Sequence, residues 1–346
     1  MSGNGTFPRF RPHPLAPGGD LQTIAAVYLP QGGHVYRAKQ HRLTLEDGDQ
    51  LVLHDDCPPH WSAGDRAALL MHGLAGCYQS GYMVRIAAKL TVRGVRVFRL
   101  DLRGCGAGFG LARWPYHSGR TEDAVAALQF IEQFCPGSPV SMIGFSLSGN
   151  IALKLCGELG EVSCAGLSDC LAICPPIDLR ACSARLGARR NRLYDRHFVR
   201  MLLRQLHEKH RQIADAPGAD YAHRPRTLFE FDDTFTAPIC GFGDAENYYH
   251  TASSALGLKN IRLPTRIIAA ADDPMIPSEV FRTTAASSSV DIRIAEGGGH
   301  LGFLARRGDD PDTRWIDWRV VDWINEVTTL TPTRRASDGE RTPSTV

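Results

Sequence analysis

Gly144-Phe145-Ser146-Leu147-Ser148-Gly149 is the stretch from which the rest of this sequence can be read. The apolar run Val140-Ser141-Met142-Ile143 precedes it, and the helix-like Asn150-Ile151-Ala152-Leu153-Lys154-Leu155 follows. A strand that turns into a helix through a serine between small residues leaves no room for bulky neighbours and thrusts the hydroxyl above the sheet edge. Such an elbow presents a nucleophile for acyl transfer. A G-x-S-x-S pattern arises readily by chance, so its weight comes from its company. His72-Gly73 stands upstream, and Asp272-Asp273-Pro274 and Gly299-His300 stand downstream. Serine, acid and histidine in that order differ from the chymotrypsin and subtilisin orders.

Outward from the elbow the chain alternates strand-like and helix-like segments. Leu43 and Leu45, then Leu51 and Leu53, alternate with polar residues around Asp47-Gly48, as in a β-hairpin. Ala67 to Met71 is a short apolar strand ending at His72-Gly73, and a helical segment from about Tyr82 to Val92 stops at Gly94. Val95 to Leu100 reads as the next strand, and a Gly-rich loop, Arg103 to Gly110, leads to Ala124, Leu128 and Ile131 at helical spacing. Leu171 to Cys174, Thr265 to Ala269 and Asp291 to Ile294 read as further strands, with a helix from about Ser278 and a terminal helix from Trp315 to Val327. This alternation implies an α/β domain with a parallel sheet covered on both faces.

The rhythm breaks between about residues 175 and 263, a region rich in Arg, His, Tyr and Phe with a long helical stretch from about Tyr194 to Gln212. It reads as a helical cap insertion over the carboxyl ends of the strands, lining an acyl pocket; extra helical packing is the reading left open beside it. Residues 1–20, with several prolines and glycines, read as a flexible N-terminal segment, residues 21–327 as the domain, and the polar residues 328–346 as a disordered tail.

Composition narrows the function. The chain of 346 residues is 43% hydrophobic and 22% charged, with a net charge of +2, which gives no electrostatic footprint for nucleic acid. No run approaches the roughly 20 apolar residues of a transmembrane span, and the N-terminus lacks the apolar core of a signal peptide. The ten cysteines form no CxxC pair and no regular framework. They read as reduced thiols in a cytoplasmic protein.

Within this frame Ser146 needs a base, and His300, behind Gly297-Gly298-Gly299 on what reads as a flexible loop after a strand, suits that role because imidazole titrates near neutrality. An aspartate after the Ile267-Ile268 strand would orient the imidazole; Asp272 and Asp273 both qualify by position. An oxyanion hole needs two fixed N–H donors. Leu147, opening a helix, supplies one, and Leu74 in the turn His72-Gly73-Leu74-Ala75-Gly76 is the favoured second. Asp101-Leu102-Arg103-Gly104 reads as a solvated loop held by an Asp–Arg pair, and His117 as a structural histidine.

These segments together resemble the YheT-like branch of the α/β-hydrolases, a group of esterases. The likeness covers most of residues 7–325. It rests on Leu21-Gln22-Thr23, His72-Gly73-Leu74, Arg103-Gly104-Cys105-Gly106, Tyr116-His117-Ser118-Gly119 and Gly144-Phe145-Ser146-Leu147. It extends through Pro176-Ile177-Asp178-Leu179, Gly241-Phe242-Gly243-Asp244-Ala245, Tyr248-Tyr249, Asp272-Asp273-Pro274 and Gly298-Gly299-His300-Leu301-Gly302-Phe303. The resemblance implies an α/β-hydrolase fold, with a mostly parallel central sheet, helices on both faces and a helical cap insertion. It also implies a Ser-His-Asp triad acting without cofactor or metal on small-molecule carboxylic esters, lipid and medium-chain acyl esters among them.

Such hydrolases commonly read Gly-x-x-Asp-x-x-x-Pro at the acid. Ala270 stands at the glycine position and Pro277 at the proline, which selects Asp273 beside Ser146 and His300. The family usually has Gly-Gly-Asn where this chain has Ser148-Gly149-Asn150, which adds a side chain at a crowded turn. Membrane-anchored members carry an N-terminal span that is not read here. An acyltransferase using the same triad, or a catalytically silent binding protein on the same fold, are the alternative functions.

Overall fold

The computed structural model describes residues 7–29, 36–218 and 224–330. Eight strands form one sheet: β1 (Lys39–Thr44), β2 (Gln50–Asp56), β3 (Ala67–Met71), β4 (Arg96–Asp101), β5 (Val140–Phe145), β6 (Leu167–Ile173), β7 (Thr265–Ala270) and β8 (Val290–Ala295). Their spatial order is β1-β2-β4-β3-β5-β6-β7-β8. The β1–β2 and β2–β4 pairings are antiparallel and the rest are parallel, so β2 alone runs opposite to the other seven strands.

Period-two alternation divides the apolar residues between two cores. On one face Leu69 and Met71 of β3 and Met142 of β5 join Leu128 and Ile131 of the helix Thr121–Phe134 and Ile151 and Leu155 of the helix Leu147–Leu159. On the other face Leu70, Ile143 and Ile268 meet Met83, Ile86 and Leu90 of the helix Gly81–Thr91 and Val320, Trp323 and Ile324 of the terminal helix Trp315–Leu330. Met83, Ile86, Ala87 and Leu90 follow the i, i+3, i+4, i+7 spacing of a one-sided helix. Each fully buried Leu or Ile stabilises this arrangement by roughly 1.5–3 kcal/mol.

Between β6 and β7 the described chain is helical, with Leu179–Gly187, Arg192–Gln212, Leu228–Phe231 and Ala245–Ala252 as its main elements. Asp178 and Asp244 start two of them by accepting the Ala181 and Asn247 amide hydrogens at 2.9 and 2.8 Å. Two segments of the family-like pattern are therefore helix N-caps. Among the described residues no helix is long and apolar enough to cross a membrane.

Three expectations need correction or bounds. Residues 7–20 are anchored to the domain at named points: Phe10 is 3% exposed, its ring meets Phe303 and Trp315 edge-on, and Pro12 bridges to Ala305. Burial of aromatic surface outweighs the Pro- and Gly-rich composition that suggested mobility. Asp101 and Arg103 are buried and do not pair with each other. Arg103 instead holds Asp47, Asp49 and Asp123 at 2.5–2.7 Å, while Asp101 faces His54 and the Tyr78 and Ala107 amides. The terminal helix continues beyond Val327 to Leu330, and residues 331–346 of the expected tail lie outside the described residues, as do residues 1–6.

Candidate active site

Strand register brings the pieces together. In the β3–β5 pairing Met71 lies beside Gly144, so Gly73 and Ser146, each two residues further on, become neighbours at the carboxyl ends of the strands. A Cβ on Gly73 would stand 3.0 Å from that of Ser146. Ser146 has φ 51° and ψ −121°, a left-handed conformation that costs a non-glycine residue roughly 1–3 kcal/mol and is held here by its surroundings. Its N–H donates to the Ile173 carbonyl at 2.8 Å.

Ser148, the departure from the family pattern, is fully buried, and its hydroxyl donates to the His72 carbonyl at 2.5 Å. The extra side chain therefore ties the helix after the elbow to the end of β3.

The turn after β3 is fixed by two tyrosines. The Gly73 N–H donates to the Tyr82 hydroxyl and the Ala75 N–H to the Tyr116 hydroxyl, each at 3.0 Å. Burial pushes Tyr82 up to about 12 and Tyr116 well above its ordinary value, so both stay protonated. Between them the Leu74 amide donates to no described group. The Leu147 amide is likewise free, since the first turn of a helix has no carbonyl behind it. Two free amides thus come from turns that meet at Ser146.

His300 lies on the loop after β8. Its Nε2 accepts the Ser146 hydroxyl at 2.8 Å, and its Nδ1–H donates to Asp273 Oδ2 at 2.8 Å. Asp273 is 1% exposed, and its Oδ1 accepts the Met275 and Ile276 amide hydrogens at 2.8 and 3.0 Å. Asp272 turns to the backbone instead and accepts the Gly299 N–H at 2.8 Å. The structure thus gathers Ser146, Asp273 and His300 and leaves Asp272 to the loop. The loop is not a free tether: Gly299 has φ 57°, and a Cβ there would come within 2.3 Å of the Gly19 carbonyl. Close approach of the N-terminal helix explains that glycine better than flexibility does.

A cavity opens from Ser146 and His300 among Leu74, Phe198, Leu202, Phe231, Phe235 and Ile239, most of them from the helices between β6 and β7. Its charged lining is largely committed. Arg103 is held by three carboxylates, and Lys209 donates to the Arg113 carbonyl at 3.1 Å. Asp232 accepts the Thr236 and Tyr249 hydroxyls, and burial pushes it up to about 6. His117 is 7% exposed and accepts the Gly119 N–H through Nδ1 at 3.1 Å, the structural part expected of it.

Ligand atoms of Cys174, Asp273 and His300 lie within 4.8 Å of one another. Both imidazole nitrogens are already engaged, however, and burial pushes the Cys174 thiol up, away from the thiolate a metal requires. All ten cysteines are unpaired.

Sequence reasoning passed over Gln22 and Thr23, which touch this loop, although Leu21-Gln22-Thr23 stood out as a segment. It also passed over the two tyrosines under the Gly73–Ala75 turn.

The family model described as Alpha/beta hydrolase family matches residues 68–318. The chain is 30% identical over 289 residues to "Putative esterase YheT" of Escherichia coli (strain K12), covering 82% of this chain and 83% of that one. It is 27% identical over 239 residues to phospholipase ABHD3 of Mus musculus, covering 68% and 58%. A structure of the Pyrococcus furiosus esterase Pf2001 superposes with a TM-score of 0.55 at 14% identity over 94% of this chain and 98% of that one, a likeness of fold.

Proposed function

The chain belongs to the alpha/beta hydrolase family, in its YheT-like branch, and from that premise we propose that it is a serine esterase whose acyl-enzyme forms on Ser146. The observation that carries this reading is the unbroken run of 2.8 Å contacts from the Ser146 hydroxyl through His300 to Asp273. Ser146 Oγ attacks the ester carbonyl while its proton passes to His300 Nε2. Asp273, oriented by the two backbone amides that its Oδ1 accepts, keeps the imidazole in the Nδ1–H tautomer and stabilises the imidazolium. The Leu74 and Leu147 amides receive the oxyanion, a contribution of roughly 2.7–4 kcal/mol per donor in comparable sites. The intermediate collapses with return of the proton to the leaving alcohol. Water, deprotonated by the same histidine, then releases the acid and regenerates Ser146.

The helices between β6 and β7 act as a cap, and their apolar residues receive the acyl chain. The cavity has a volume of about 170 Å³. A phospholipase among the relatives supports esters of lipid origin.

A fluorophosphonate probe should label the protein and fail to label Ser146→Ala, and p-nitrophenyl esters should show an optimum at medium acyl length with free acid as the product. Labelling that survives the substitution would sink the assignment. Transfer of most acyl groups to an added alcohol would make the protein an acyltransferase.

A further inference from the structure

The N-terminal helix Gly19–Tyr28 lies outside the sheet, yet its side chains bind the loop that carries His300. The His300 N–H donates to Thr23 Oγ1 at 2.8 Å, and the same hydroxyl donates to the Gly19 carbonyl at 2.7 Å. Four residues along the loop, Gln22 closes a second clamp: its Oε1 accepts the Leu304 N–H at 2.7 Å and its Nε2 donates to the Leu304 and Ala16 carbonyls at 2.9 and 2.6 Å. Gln22 is fully buried and Thr23 is 6% exposed. Between the clamps, Leu301 and Phe303 have φ of 61° and 42°. Left-handed conformations at non-glycine residues persist only where the surroundings impose them.

From this we infer that Thr23 is a positioning residue for the reaction: its hydroxyl fixes the backbone of His300 and thereby aims the imidazole at Ser146. The inference rests on the serine-esterase reading. Asp272 holds the Gly299 amide and Thr23 the next one, so successive N–H groups of the loop are tied by side chains from two different parts of the chain. The helix is in turn anchored away from the loop, because Asp20 accepts the Tyr194 hydroxyl and pairs with Arg190, each at 3.1 Å. Thr23 does not line the cavity, so it has no part in gripping the acyl chain. Its removal should therefore act on the chemical step and spare substrate binding. A misplacement of about 1 Å at a catalytic group can cost on the order of a hundredfold in rate.

The test compares Thr23→Val, which keeps the shape but removes the acceptor, with Thr23→Ser, which restores the hydroxyl. Each full-length protein is assayed on a medium-chain p-nitrophenyl ester, with active sites counted by fluorophosphonate titration so that misfolded material does not enter kcat. Thr23→Val should lose between about 10- and 100-fold in kcat with KM changed less than about threefold, and Thr23→Ser should recover to within about threefold of the wild type. If valine prevents folding, Thr23→Ala removes the same acceptor without branching and should show the same kcat loss. Three results would overturn the inference: undiminished kcat per titrated site in Thr23→Val or Thr23→Ala, a loss wholly in KM, or a serine variant as impaired as the valine one. A wild type that the probe does not label would overturn the esterase reading itself, which a labelled wild type beside an unimpaired Thr23→Val would leave standing.

Discussion

His117 should make this protein labile to acid, and the size of the effect follows from where the ring sits. It packs edge-on against Phe242 and Tyr248, with centroids 5.1 and 6.1 Å away, and its Nδ1 accepts the Gly119 N–H. Burial above all, then the nearby charges of Arg120, Arg103 and Lys154, lowers its titration from 6.5 to about 3. The folded state thus keeps the ring neutral, while the unfolded chain binds a proton near pH 6.5. Where the unfolded state holds more protons, stability rises with pH. The contribution of this residue is therefore intact above pH 6.5, falls by about 1.4 kcal/mol per pH unit below it, and is exhausted near pH 3. By pH 5 the loss is about 2 kcal/mol, a substantial share of the 5–15 kcal/mol typical of a folded domain.

His117→Asn isolates this term, because the Asn Oδ1 can accept the Gly119 N–H while the side chain no longer titrates. Loss of the ring contacts lowers stability by a pH-independent amount, so the informative quantity is the difference between the two proteins across pH. Urea unfolding followed by tryptophan fluorescence should show the wild-type advantage at pH 7.5 shrinking by about 1.4 kcal/mol per unit between pH 6 and 4. Stability curves that stay parallel over that range would refute the claim that His117 is held neutral by its surroundings.

Three further outcomes are expected. Ser148→Gly should keep activity per titrated site but lower stability by about 2 kcal/mol, the sum of one buried hydrogen bond to His72 and the helix cost of glycine; Ser148→Leu, with no space at a fully buried position, should fail to yield active protein, and full activity there would show the elbow to be misplaced. Asp273→Asn should cost on the order of ten-thousand-fold in kcat in a folded protein while Asp272→Asn costs far less, and the opposite ranking would move the acid to Asp272. Asp232→Asn should stabilise the protein at pH 8 by up to about 3 kcal/mol and leave it unchanged near pH 3.5, because a carboxyl raised to about 6 favours folding below pH 3.8 and loses that advantage as pH rises through 6; equal urea midpoints at pH 8 would contradict it.

What could be read from the sequence was what local periodicity and local chemistry encode. The continuous apolar run from Ala67 to Met71 and the short one from Val140 to Ile143 announce strands buried on both faces, and the structure sorts those residues to its two cores accordingly. The elbow is legible because steric crowding acts on adjacent residues. What escaped depends on contacts between distant parts of the chain. Arg103 reads as the partner of Asp101 because the two are close in sequence, yet it reaches Asp47, Asp49 and Asp123, which hairpin geometry and a helix start bring to it. Residues 7–20 read as mobile because composition carries no record of the Phe303 and Trp315 rings that bury Phe10.

The paired aspartates show where the two kinds of information divide. Successive side chains leaving β7 must point apart, so local geometry alone establishes that only one of Asp272 and Asp273 can face His300. It is silent on which, because the answer depends on where the loop after β8 lies. The spacing to Pro277 pointed to Asp273, and Asp273 is the residue at the imidazole. The neighbour is not idle: Asp272 grips Gly299, one residue before the histidine, while Thr23 grips His300 itself. Adjacent carboxylates thus hold the ring of the histidine and the backbone of the residue before it. That division of labour is why substituting the two should differ so widely in consequence, since in the proposed mechanism the ring contact changes charge and the backbone contact does not.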